Sequence, residues 1–140
     1  MSEFALHPQL AKDTFEITDW PLCRVLRMND TTYPWLILVP RRRECREITD
    51  LLQAERHRLM DEISQASDAL QRECNPTKVN IGALGNMVPQ LHIHVIGRFS
   101  GDPAWPKPVW GFQPAQPFEQ AEREREATRW QQLLASPQAQ

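Results

Sequence analysis

The chain has 140 residues with a formal net charge of -2, and 16 Lys and Arg interspersed with 18 Asp and Glu, so no single-sign field marks it for nucleic acid. That length is the size of one domain with a real core, expected here over 1–140. No apolar run is long enough for a bilayer, the start (MSEFALHP) lacks the make-up of a signal peptide, and three cysteines without a CxxC pair suit free thiols in a reducing cytoplasm.

Phe4 to Leu10 can form a short amphipathic turn or helix limited by Pro8, and Asp13 to Ile17 reads as a short strand. Leu22 to Met28 is a second strand, closed by the turn cluster Asn29-Asp30-Thr31-Thr32. Trp35 to Val39 is continuously apolar and stops at Pro40, which suits a central strand covered on both faces. Neighbouring strands joined by so short a turn should pair antiparallel. Arg41 to Arg43 reads as a solvated basic loop.

Thr49 or Asp50 can cap a long helix running to about Glu73. Its stripe is Leu52, Leu59, Met60, Ile63, Ala66 and Leu70, extended at the start by Ile48 and Leu51, with His57 well off it. Asn75-Pro76 ends the helix, and Lys78 to Ala83 makes a fourth strand. The segment 99–117 is rich in proline and includes Trp105 and Trp110, so it should be irregular and packed down. A last helix is expected over about 118–135, with Pro117 at its first turn and a Glu119–Arg123 pair, and 136–140 should fray. The fold class is therefore α+β: about five mostly antiparallel strands in a core over about 13–98, one long helix packed on the sheet, and a C-terminal helix.

Between Gly85 and Arg98 lies the stretch that carries the chemistry. From Gln90 to Ile96 polar and apolar residues alternate, so Leu91, Ile93 and Val95 share one face while Gln90, His92 and His94 share the other. Val or Thr would suit a strand better than two imidazoles, so the row suggests a site. Three readings are open. The row can be the solvent face of a sheet. It can supply two metal ligands, although no further His or Cys stands at ligand spacing. Or it can be nucleophilic: a neutral imidazole attacks phosphorus, and a second on the same face reaches the same phosphate. The loop Leu84 to Val88 would then offer backbone N–H groups and an amide to phosphate oxygens.

Gln90-Leu91-His92-Ile93-His94-Val95-Ile96 resembles the signature of the histidine-triad (HIT) superfamily, three histidines spaced by apolar residues. The lead-in Gly85-Asn86-Met87-Val88 and the strand–Asn–turn–strand segment Leu22 to Pro40 are similar to that superfamily as well. The resemblance implies a five-stranded α+β fold, a two-fold homodimer, and a small-molecule nucleotide as ligand, with no cofactor. It implies nucleotide phosphate hydrolysis or nucleotidyl transfer through a nucleotidyl-histidine, with dinucleoside polyphosphates or nucleoside phosphoramidates as candidate substrates. His92 matches the nucleophile, His94 the histidine at the phosphate and leaving group, and Gly85 and Asn86 the phosphate-binding loop. Asn29 matches a ribose contact, and Asn80 an Asn near the site in one branch.

Gln90 stands where the first motif histidine belongs; it can orient a neighbour but exchanges no proton. Met87 replaces a hydroxyl residue, and Trp35 a further histidine of several branches. A nucleotide-binding module with little turnover is the rival reading.

Overall fold

Trp35 to Pro40 is buried at every position, and the reason is a sheet covered on both faces. The computed structural model describes residues 3–135, in the order α1 (Pro8–Asp13), β1 (Thr14–Asp19), β2 (Cys23–Met28), β3 (Trp35–Pro40), a 3-10 turn (Ile48–Asp50), α2 (Gln53–Cys74), β4 (Lys78–Gly82), β5 (Ile93–Arg98) and α3 (Gln120–Ala135). The expected fraying of 136–140 falls outside the described residues. The strands form one antiparallel sheet in the order β1-β2-β3-β5-β4, so the fold is α+β as expected. Among the described residues no helix is long and apolar enough to cross a membrane.

One face carries Val25, Leu36, Leu38, Leu91, Ile93 and Val95 against Leu59, Ile63, Ala66 and Leu70 of α2 and Trp130 and Leu134 of α3. Burying each such Leu or Ile stabilises by roughly 1.5–3 kcal/mol. The C-terminal helix thus lies on the body beside α2. Glu126 anchors it, accepting from the buried Arg27 of β2 at 2.9 Å and from Trp130 Nε1 at 3.0 Å. Burial pushes the Glu126 carboxyl up, but Arg27 outweighs that and holds it below the usual carboxylate range.

The other face carries Leu26, Ile37, Val39 and Ile96, covered by Leu10 of α1 and by Ala104 and Val109 of the Pro/Trp segment. That segment is therefore a lid of turns on the sheet. Arg98, Asp102 and Asn80 pin it: Asp102 accepts from Arg98 at 2.8 and 3.0 Å, and Asn80 Oδ1 accepts from Arg98 Nη1 at 2.8 Å.

Several boundaries differ from the sequence expectation. The long helix starts at Gln53, because the Asp50 carboxylate accepts from the Arg46 and Glu47 N–H groups and closes the 3-10 turn instead of capping α2. Ile48, Leu52 and Met60 are exposed and leave the apolar stripe, whereas Leu51 is buried. Glu62 takes a stripe position, accepting from the Leu22 and Cys23 N–H groups at 2.9 and 2.8 Å. Pro117 precedes α3, and Arg123 stacks over the Phe15 ring at 5.1 Å instead of pairing with Glu119. The motif strand begins at Ile93, since Leu91 N–H leaves the ladder to donate to Cys45 O at 2.9 Å.

Candidate active site

His94 sits in β5 opposite Ile37 of β3 and Gly82 of β4, so its ring rises from the middle of the sheet. Alternation holds across the motif: Leu91, Ile93 and Val95 face the helices, and the two histidines face the lid. The row is not solvent-facing, however. His92 and His94 are only 7% and 5% exposed, because the indoles of Trp35 and Trp110 fold over this face. Trp110 is tied down within its own chain, its ring 5.3 Å from that of His94 and its edge seated over Gly82.

Each imidazole has a defined tautomer. His92 Nδ1 lies 2.7 Å from Gln90 O, and a carbonyl only accepts, so Nδ1 carries a proton and, in the neutral ring, Nε2 holds the lone pair. His94 Nδ1 lies 3.0 Å from Trp35 Nε1, an N–H that only donates, so here Nδ1 is the acceptor and Nε2 carries the proton. Burial, and after it the neighbouring His92, pulls the His94 pKa down to about 3. The rings stand 4.9 Å apart, edge to face. One histidine offers a lone pair and its neighbour an N–H donor.

A cleft of about 330 Å³ opens over both rings. Leu10, Met28, Val88 and Trp110 give it an apolar wall, while Gly85 and Asn86 form the rim. Gly85 has φ +75°, which an L side chain rarely adopts, so the loop turns back over His92 only because this residue is glycine. Trp110 Nε1 is buried without a partner among the described residues. No group of three or more His, Cys, Asp or Glu among the described residues could hold a metal ion.

The structure brings His92, His94, Gly85 and Asn86 to one cleft and engages the other three expected residues elsewhere. Gln90 turns its amide to the N-terminal arm, accepting from His7 N–H at 2.8 Å and donating to Ala5 O at 2.9 Å; only its carbonyl serves the site. Asn29 accepts from Phe118 N–H at 2.9 Å, and Asn80 is bound to Arg98. In the sequence Trp35 stands only as the replacement of a further histidine and Trp110 only within a segment that must pack down; the structure sets both rings against His94. Their signal was a donor-bearing aromatic at the head of a central strand and another in a segment that must pack down.

The family model for the HIT domain matches residues 9–101. A histidine triad protein of Marinobacter aquaeolei is 47% identical with a TM-score of 0.91, the match covering 95% of this chain and 97% of that one. One from Bradyrhizobium japonicum is 44% identical with a TM-score of 0.90, covering 95% and 99%. A third, from Sinorhizobium meliloti, is 43% identical with a TM-score of 0.87, covering 90% and 93%. No curated protein sequence matches.

Proposed function

The chain belongs to the HIT-domain family, and from that premise we propose that it hydrolyses or transfers a nucleotide through a covalent nucleotidyl-histidine on His92. The observation that carries this is the bond from His92 Nδ1 to Gln90 O, which leaves Nε2 as the lone pair of the ring. Nε2 attacks the α-phosphorus and the N–P bond forms. In a dinucleoside polyphosphate the P–O bond to the leaving group breaks and its electron pair goes to the leaving oxygen; in a phosphoramidate the P–N bond breaks and the leaving nitrogen takes a proton from water. His94 donates a hydrogen bond from Nε2–H to the phosphate region without itself changing charge. Water then attacks phosphorus, the N–P electron pair returns to Nε2, and the water proton passes to solvent. Gly85 and Asn86 hold phosphate oxygens from the loop.

Dinucleoside polyphosphates and nucleoside phosphoramidates are the candidate substrates, the apolar wall receiving the base. A two-fold dimer belongs to the same reading. Its support is the outermost strand β4, where Ile81 is half exposed, and sedimentation showing a monomer at high concentration removes it. The nucleotide-binding module with little turnover has one observation in its favour: His94, neutral and bound by Trp35, is no strong acid for a poor leaving group. Mass-spectrometric trapping of a His92–nucleotide adduct separates the two. An adduct supports the enzyme, and tight binding with neither adduct nor product supports the module.

A further inference from the structure

Leu91 N–H leaves the sheet to donate to Cys45 O at 2.9 Å, and hydrogen bonds continue that contact in both directions. On one side the same peptide unit turns its other end to the nucleophile, for Gln90 O accepts from His92 Nδ1–H at 2.7 Å. On the other side the peptide unit of Cys45 carries the Arg46 N–H, which donates to Asp50 Oδ2 at 3.0 Å. A trans peptide holds its C=O and N–H pointing opposite ways, so each unit passes the contact on. The bonds form one continuous line, from His92 Nδ1–H through the 90–91 and 45–46 peptides to the Asp50 carboxylate. Such a line needs a fixed far end. Cys45 is buried, but residues 46–50 are all exposed, so no packed side chain in that turn aims the 45–46 peptide. Asp50 supplies the aim. Its Oδ2 also accepts from Glu47 N–H at 2.9 Å. The Glu47 and Arg46 N–H groups, and after them the Arg46 charge, hold its carboxyl below the ordinary carboxylate range.

We infer that Asp50 is a positioning residue for His92, acting through two peptide units, and that the 46–50 turn aims the Gln90 carbonyl at Nδ1. The inference rests on His92 being the nucleophile proposed above. Hydrogen bonds in a line polarise one another. A carboxylate accepting from Arg46 N–H makes Cys45 O a stronger acceptor, which draws on Leu91 N–H and strengthens Gln90 O in turn. A strong and well-aimed acceptor keeps the proton of the neutral ring at Nδ1 and leaves Nε2 as the attacking lone pair. The Gln90 side chain takes no part in the line, since its amide binds Ala5 and His7. The acid that orients the nucleophile is thus distant from it and works through backbone alone.

The test reads the His92 ring as well as turnover. In the wild type, nitrogen NMR should show the Nδ1–H form of neutral His92 and a coupling across the Leu91–Cys45 hydrogen bond. Asp50→Ala removes the terminal acceptor from an exposed turn, so the core stays intact. The coupling should weaken and the ring should shift toward the Nε2–H form. Turnover of diadenosine tetraphosphate should fall roughly tenfold in kcat, the low end for losing a group that orients a functional histidine from behind, with KM kept within about twofold. Asp50→Asn keeps an acceptor oxygen and should restore all of these. A turn that only stabilises the fold would lower the urea midpoint of Asp50→Ala and leave the His92 ring unmoved, and that result overturns the inference. So does an Asp50→Asn that behaves like Asp50→Ala. Absence of turnover in the wild type would count against the proposed function itself, and the ring shifts alone then decide the role of Asp50.

Discussion

The indole N–H of Trp35 donates to Nδ1 of His94 over 3.0 Å, and this one bond decides what His94 can do. An imidazole accepting at Nδ1 must hold its proton at Nε2, so the ring faces the cleft as a neutral donor. Trp35→Phe keeps the shape and removes the donor. Turnover should fall about tenfold or more, because His94 can then adopt the wrong tautomer, while nucleotide binding changes little. Nitrogen NMR of the His94 ring provides the check independent of activity: an unchanged Nε2–H tautomer in the variant would show that the indole does not hold it.

His92 carries the covalent step, so its removal should be all or nothing. His92→Asn should abolish both turnover and the trapped adduct, with nucleotide affinity kept within roughly tenfold, or about 1.4 kcal/mol. His94→Ala should slow the reaction without abolishing it. An adduct that persists in His92→Asn would move the nucleophile elsewhere.

Gln90 acts through two different atoms. Its carbonyl orients His92, and its amide holds Ala5 and His7. Gln90→Ala removes only the second function, so the arm before α1 should loosen at a cost of about 1–2 kcal/mol while turnover falls far less than in His92→Asn. Hydrogen exchange over residues 3–13 reports the loosening. Gln90→His, which restores the family residue, should be tolerated if it can reach the same arm.

Acid should destabilise the fold through His94. Its folded pKa of about 3 lies below the unfolded value near 6.5, so the unfolded chain binds a proton that the folded one refuses. The contribution is fully present above about pH 6.5 and is lost as pH falls toward 3, amounting to about 2 kcal/mol by pH 5 at 1.36 kcal/mol per pH unit. Urea midpoints should therefore fall more steeply from pH 7 to pH 5 in the wild type than in His94→Phe. Equal slopes in the two proteins would remove His94 as the cause.

The Arg27–Glu126 pair should matter far more than its surface counterpart. Glu126→Ala leaves a guanidinium buried against α3 and should cost about 3–5 kcal/mol. Glu73→Ala removes a half-exposed partner of Arg129 and should cost no more than about 1 kcal/mol. Similar losses from chemical denaturation of the two variants would contradict the anchoring of α3 described above.

The register of the motif was legible in the amino-acid pattern because Leu91, Ile93 and Val95 could be satisfied only by the helix-covered core. The burial of His92 and His94 was not. Their cover comes from Trp35 and Trp110, distant in sequence, and alternation says which residues share a face but not what lies over it. Asn29 and Asn80 were assigned by position in a family pattern, whereas their amides satisfy Phe118 N–H and Arg98. Glu62 is a feature the pattern does make readable. An acid on an apolar stripe needs donors, and two backbone N–H groups at the start of β2 supply them.

Gly82 and Trp110 bind the fate of one position to the other. A methyl group at 82 would come within 3.2 Å of the Trp110 ring edge, so that ring, 5.3 Å from the ring of His94, must give by a few tenths of an ångström. A side chain at 82 therefore presses on the ring that covers His94, and a smaller ring at 110 would uncover His94 to water. A smaller ring at 110 would make room for that side chain, and the repair would hand back to His94 the proton that the indole wall now keeps away, turning a silent packing change into a different acid–base chemistry.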